Sequence, residues 1–281
     1  RMVLLAAKFA LLALVIIAAG MMLTRFADAI GEITKMGGSL AGLILLAGAT
    51  SLPELAVDCS AVLIGANDMA VGTLLGSSLF NLLILSMLDL SLPRQKRMFS
   101  ALGAAHALSA MASIVLTAIV LLGVATHSPI AVWRVGLDSV ALVVSYLFLM
   151  RLVYIDRVFS MRKAGAMEPQ EEPGLPRKLM PLWMAVGGYL LATGVIFAAA
   201  PMLATTADEL STRTSLGGTF VGTTLVALTT SLPEIVTTTA ALRMGAVDLA
   251  IGNIFGSNAF NMTILAVADL FSPEPLLSTV S

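Results

Sequence analysis

Two stretches of this chain, 180 residues apart, share a Thr-Ser-Leu-Pro-Glu run and a later Gly-Ser and Asn at the same spacing, inside sequence that is otherwise apolar. The first reads AGATSLPEL from Ala47 to Leu55 and GTLLGSSLFN from Gly72 to Asn81. The second reads ALTTSLPEI from Ala227 to Ile235 and GNIFGSNAFN from Gly252 to Asn261. Glu54 thereby matches Glu234, Ser77 matches Ser257 and Asn81 matches Asn261. Any fold that accepts both copies must hold two carboxylates in equivalent apolar surroundings, and few folds can.

The solvent around those copies is set by composition. The chain of 281 residues is 58% hydrophobic and only 12% charged, against roughly 25% charged in soluble domains. Apolar runs of about 20 residues, the length that crosses a bilayer as a helix, recur along it. The first of them, Val3–Leu23, is long enough to span and is read as a membrane helix, not a removed signal. The net charge of −1 says nothing about nucleic acid, no basic stripe supports such a partner, and none is expected. The single Cys59 excludes an intrachain disulfide and a multi-cysteine metal site, and it reads as a small packing residue. No motif calls for a cofactor.

The fold class expected is an all-α polytopic membrane protein, an inverted-repeat helix bundle with interrupted helices and about eight spans. The spans are 3–23, 38–65 (interrupted near Ser51–Glu54), 69–90 (loosened at Gly76–Ser78), 99–124, 130–153, 180–203, 217–243 and 247–271. The chain is one membrane domain over 1–281, with a first repeat at 37–90, a second at 217–270, and a polar linker at 154–179. Lys and Arg gather in the connections after spans one, three, five and seven, including Arg25, Lys35, Arg94, Lys96, Arg97, Arg162 and Lys163. The basic side is cytoplasmic by the positive-inside rule, so the N-terminus lies outside and the linker inside. The expected location is the cytoplasmic (inner) membrane, with the lipid bilayer as surroundings. Five spans separate the two copies, so they thread the membrane in opposite directions. Interrupted helices in an inverted repeat are the mark of secondary transporters, with the site at the repeat interface near the midplane.

Spacing then sorts the polar residues. Glu54 lies 13 residues before the turn near Asn67 and Asn81 lies 14 after it; at about 1.5 Å per residue both sit roughly 20 Å from that turn, at one level. Thr50 and Glu54 are four apart, as are Ser77 and Asn81, Thr230 and Glu234, and Ser257 and Asn261, so each pair shares a helix face. Pro53 and Pro233 each remove a backbone donor and crowd the preceding turn, freeing carbonyls around Ala47–Thr50 and Ala227–Thr230. Irregular backbone at membrane depth survives only against protein or a polar cavity. The resulting set of carboxylates, hydroxyls, amide oxygens and carbonyls suits a hard cation such as calcium, and sodium accepts the same ligands. Carboxylates inside spanning helices are costly and are functional candidates by default. Gly76 and Gly256 serve either close helix packing or the site. Asp68 and Asp248 read as helix N-caps. Asp89 and Asp269 read as solvated residues near the surface, and Asp58, one turn beyond Glu54, as lining an access path or reaching the exterior. His106 and His127 have no metal-ligand spacing.

At these residues the chain resembles the sodium/calcium exchanger family of the calcium/cation antiporter superfamily. The alpha repeats of that family carry a (G/A)-T-S-x-P-E segment and a G-S-x-x-x-N/D segment, and the resemblance covers about 37–90 and 217–270. It implies ion binding at Ala47, Thr50, Ser51, Glu54 and Ser77, and at Ala227, Thr230, Ser231, Glu234 and Ser257, with Asn81 and Asn261 facing the centre. The family has ten spans, so the resemblance implies two further helices, supplied by a longer chain, a partner or a homo-oligomer. Some members carry Asp at the position of Asn261; its amide here leaves two central carboxylates and points to the potassium-independent branch. The G-N-x-x-E pattern of proton-coupled calcium exchangers lacks its Glu in both GTLLG and GNIFG.

The function expected is a secondary antiporter exchanging Ca2+ for Na+ by alternating access, with those two ions as cargo. The resemblance implies that the first and sixth spans slide across the repeat core. Protons compete with metal for the paired carboxylates, so acid inhibits. The alternatives are a cation/proton antiporter on the same scaffold, a passive cation channel and an inactive membrane subunit. An enzyme is not expected, because there is no HExxH, no protease aspartate pair and no nucleophile beside a histidine.

Overall fold

The structure, a computed structural model, describes residues 2–34, 48, 50–91, 107–132, 135–163, 180–243 and 247–280. Nine helices run through these described residues: α1 (Met2–Ile33), α2 (Leu52–Leu63), α3 (Asn67–Ser91), α4 (Ala107–Thr126), α5 (Leu137–Lys163), α6 (Leu182–Thr214), α7 (Gly218–Thr230), α8 (Leu232–Arg243) and α9 (Val247–Asp269). Six of them are long and apolar enough to cross a membrane, and the bent pair α7–α8 makes a seventh span. α2 begins at the expected interruption, and most of the preceding half, 38–49, lies outside the described residues, as do 99–106 of the expected fourth span.

Element starts repeat at the motif offset. Leu52 and Asn67 open α2 and α3, and Leu232 and Val247 open α8 and α9. α1 and α6 are the first and sixth expected spans. Those two helices are longer than their apolar runs suggest, 32 and 33 residues, against about 20 needed to span. Their polar ends continue the helix; Arg213 and Glu209 form an exposed i,i+4 ion pair at 2.6 Å in the last turns of α6. α1 packs along α6, and Ile16, Leu23, Ile196 and Leu203 are fully buried in the resulting core.

The prolines set the breaks. Pro53 and Pro233 sit in the first turns of α2 and α8, where a missing N–H costs nothing to the helix that follows but deprives the one before. α7 and α8 meet at Ser231 with a bend of 46°. One turn earlier, Gly222–Val226 forms a π-helical turn, a feature that concentrates at functional sites. Both proline rings lie against α1 at Gly20, where a Cβ would meet Pro233 Cγ at 2.6 Å and Pro53 Cγ at 3.4 Å.

α3 is one unbroken helix from Asn67 to Ser91, so the expected loosening at Gly76–Ser78 does not occur. Its glycines are used for contact instead: a methyl group on Gly76 would overlap the Thr223 backbone, and one on Gly72 would come within 2.8 Å of the Thr219 carbonyl. Gly222 of α7 returns the arrangement against the Met69 carbonyl. α5 begins seven residues later than its apolar run, because Ala131–Val132 and Val135–Gly136 pair as a short antiparallel hairpin. It then runs to Lys163, so the first ten residues of the expected linker are helical.

Asp269 and Asp89 are buried, not solvated as their positions near helix ends suggest. Asp269 closes a knot at one face of the bundle: Oδ1 accepts the Leu276 N–H at 2.6 Å and Oδ2 accepts the Gly136 N–H at 2.7 Å. The segment after α9 folds back with Leu276 and Leu277 buried. From it Thr279 Oγ1 accepts a hydrogen bond from Asn67 Nδ2 at 2.7 Å. The start of α3 thus lies at the same face as the end of α9, its counterpart, and the two equivalent helices run in opposite directions. Large apolar side chains such as Trp183, Leu147, Phe148 and Ile114 face outward, as lipid requires and water does not.

Candidate functional site

The two breaks and the two unbroken helices beside them bring the repeated polar residues together. Thr50, Ser51, Glu54, Ser77, Asn81, Ala227, Thr230, Ser231, Glu234, Ser257 and Asn261 each have 0% of their surface exposed. Ala47 lies outside the described residues. Two buried carboxylates amid apolar helices carry a cost of several kcal/mol, about 2.5–3.5 each on insertion scales, which a packing role does not offset.

The contacts cross between repeats. Ser231 Oγ donates to Glu54 Oε1 at 3.4 Å, and Thr230 lies beside the same carboxylate. In the mirror arrangement, Thr50 and Ser51 lie beside Glu234, without a hydrogen bond of ordinary geometry from Ser51. Each repeat's hydroxyls therefore serve the other repeat's carboxylate. The Glu234 charge in turn acts directly on Glu54, and like charges at short range in an apolar medium repel strongly. Ser77 and Thr230 hydroxyls approach to 3.5 Å across the same interface. These contacts are long; at such separations a hydrogen bond contributes little.

The lone pairs are correspondingly open. Glu54 Oε2, both Glu234 oxygens, Ser51 Oγ, Ser257 Oγ, Asn81 Oδ1 and both polar atoms of Asn261 are buried without a hydrogen-bond partner. Most buried polar groups in folded proteins are paired, so two carboxylates with unpaired oxygens at the centre of a bundle call for positive charge. No three His, Cys, Asp or Glu residues gather among the described residues. The donor set is instead two carboxylates plus hydroxyl and amide oxygens, which is hard-cation chemistry.

One residue of the interface escaped the spacing argument. Asn258 Oδ1 accepts from Asn81 Nδ2 at 2.9 Å, and its own Nδ2 donates to the Ser78 carbonyl at 3.2 Å. Ser78 is the counterpart of Asn258, so the pair straddles the axis that relates the repeats. The types differ between copies, which is why matching identities did not find it; the offset alone would have.

A model of the family described as "Sodium/calcium exchanger protein" matches residues 4–155 and 184–280. The chain belongs to the sodium/calcium exchanger family. It is an integral, multi-pass membrane protein and a cation exchange transporter by family. Among relatives, it is 28% identical over 242 residues to the inner membrane protein YrbG of Escherichia coli strain K12, covering 83% of this chain and 69% of that one. It is 52% identical over 56 residues to the sodium/calcium exchanger MaX1 of Methanosarcina acetivorans, a segment that is 20% of this chain and 16% of the other. Among solved structures, the H+/Ca2+ exchanger CAX superimposes with a TM-score of 0.68 at 14% identity, covering 95% of this chain and 67% of that one. In both copies a helix with a proline in its first turn lies beside an unbroken one, and their polar residues meet.

Proposed function

We propose that this exchanger moves Ca2+ in one direction and Na+ in the other through the crossed site, by alternating access. The observation that carries the reading is the crossing between repeats, in which Ser231 bonds Glu54 while Thr50 and Ser51 lie beside Glu234. Neither repeat can close a coordination shell alone, so relative movement of the halves opens the shell to one side or the other.

Glu54 and Glu234 together neutralise one divalent ion. Thr50, Ser51, Ser77, Thr230, Ser231 and Ser257 offer hydroxyl oxygens, Ala47 and Ala227 backbone carbonyls, and Asn81 and Asn261 amide oxygens around it. Sodium ions spread over the same oxygens and share the same two charges, so calcium and sodium exclude each other. The sodium assignment draws support from the named activity of MaX1 and from the absence of the G-N-x-x-E pattern in both copies. α1 crosses both proline breaks at Gly20 and packs along α6; these two helices form the element that slides over the core. Residues 37–90 and 217–270 are the repeats, and 154–179 is the link between halves. The basic connections face the cytoplasm and the Asn67–Thr279 face lies outside, in a cytoplasmic membrane as the name of YrbG indicates for that relative.

Calcium uptake into proteoliposomes tests the reading, with outward gradients of sodium, potassium or protons imposed in turn. Uptake that follows the sodium gradient supports it. Uptake that follows only the proton gradient makes the protein a cation/proton antiporter, and uptake indifferent to every counter-gradient makes it a channel.

A further inference from the structure

A third buried carboxylate stands outside the pair used above. Asp58 lies one turn along α2 from Glu54 with 0% of its surface exposed, and neither of its carboxylate oxygens has a hydrogen-bond partner. Its polar neighbour is Thr73 on α3, also fully buried. The Thr73 hydroxyl sends its proton to the Met69 carbonyl at 2.8 Å. A hydroxyl has one proton to give; while that proton is on Met69, the oxygen keeps lone pairs that can share a cation with Asp58. A charged carboxylate facing a second acceptor in an apolar interior needs a cation between them, the alternative being the neutral acid.

The second repeat supplies an internal control. The counterparts of Asp58 and Thr73 are Thr238 and Asn253, and there Asn253 Nδ2 donates to Thr238 Oγ1 at 3.1 Å and to Thr237 Oγ1 at 3.2 Å. That pair is neutral and satisfied. The same two elements at the same offset therefore carry a closed amide–hydroxyl contact in one copy and an unbalanced charge in the other. Since the copies face opposite sides of the bundle, the extra charge is one-sided.

Its side is identifiable. Beyond Asp58, α2 ends at Leu63, and the turn that follows opens onto a cavity of about 310 Å3 lined by Gly65, Asn67, Met69, Asp208, Ser211 and Thr279 among others. Met69, whose carbonyl engages Thr73, is part of that lining. Asp58 and Thr73 lie between this cavity and Glu54.

We propose that Asp58 and Thr73 form a separate binding site for one sodium ion, between the Asn67–Thr279 face and the central pair, with no equivalent toward the opposite face. One carboxylate matches one monovalent charge, and water from the cavity completes the shell. The site deepens the antiport reading and rests on it for its role, since an ion held there passes to Glu54 when the shell opens.

The test is sodium binding to the purified full chain in detergent, in choline-substituted buffer, counted with radioactive sodium and followed by thermal melting. Asp58→Asn and the double variant D58T/T73N, which copies the pair already buried at Thr238 and Asn253, are compared with wild type and with Glu54→Gln. One sodium fewer is expected in both Asp58 variants, while Glu54→Gln retains the sodium that they lose. In proteoliposomes the half-saturating sodium concentration rises about tenfold when sodium is offered at the Asn67–Thr279 face and stays unchanged at the other. An equal sodium count in wild type and variants overturns the proposal, as does loss of proton uptake in place of sodium, or an equal shift at both faces. If the double variant binds as wild type while Asp58→Asn is unfolded, Asp58 is structural and the proposal fails. Failure of the antiport reading shows separately, as flux that survives Glu54→Gln.

Discussion

Replacing Glu54 by glutamine keeps the shape of the side chain and removes one of two charges. A divalent ion bound between the introduced amide and Glu234 then leaves one positive charge uncompensated at the centre of the bundle. The native carboxylate is fully buried and the Ser231 hydroxyl lies 3.4 Å from it; a hydroxyl at that range does not make good the lost charge. An unbalanced charge at that depth costs about 2.5–3.5 kcal/mol on insertion scales. With each 1.4 kcal/mol worth about tenfold, calcium should bind about 100-fold more weakly. Glu234→Gln should lose the same amount within a few-fold, because the two sites are crossed copies of one arrangement. Glu54→Asp keeps the charge but withdraws it from Ser231, and should fall between. The assay is the half-saturating calcium concentration for uptake into sodium-loaded proteoliposomes, with size-exclusion profiles checking that each variant is intact. Affinity within about threefold of wild type in either glutamine variant would refute the site, and a large asymmetry between them would refute the crossed-copy argument.

The remaining predictions concern packing and pH. Gly76→Val drives a side chain into the Thr223 backbone; overpacking of this kind costs about 1–3 kcal/mol and should lower the melting temperature, and an unchanged melt would mean that the α3–α7 contact is not close. Asn258→Ala removes both bonds across the repeat axis; with membrane hydrogen bonds averaging about 0.6 kcal/mol each, stability should drop by about 1 kcal/mol in a chemical-denaturation series. Asp269→Ala orphans the Gly136 and Leu276 N–H groups, at about 1–3 kcal/mol each, and should raise proteolytic cleavage after Asp269 while leaving the calcium affinity of the central site in place. Acid should inhibit calcium uptake, since each proton bound at Glu54 or Glu234 removes a charge that calcium needs; raised calcium should restore flux, and a flat profile from neutral to mildly acid pH contradicts the competition.

Much of this protein follows from residue order alone. Helices were required because a bilayer leaves backbone groups no other partners, and the break positions because Pro53 and Pro233 cannot donate to the turn before them. Recurrence of the same polar residues at one offset, across an odd number of spans, then implied an inverted pair and the polar types that meet at its centre. These are local or periodic properties, and periodicity survives translation into one dimension.

Other features depended on which surfaces touch. That Ser231 reaches Glu54 while Ser51 faces Glu234 is a fact about the crossing of two broken helices, and no spacing within one copy encodes it. Gly76 and Gly256 read equally well as packing or site residues; Thr223 stands against Gly76, while a Cβ on Gly256 would meet nothing within 4 Å. Asp269 looked like a solvated helix end because its partners, Gly136 and Leu276, come from a distant hairpin and a returning tail. Asp58 is the sharpest case. Its carboxylate was visible in the sequence, but its meaning came from Thr73 having already given its proton to Met69, a hydrogen bond that only the folded helix α3 makes.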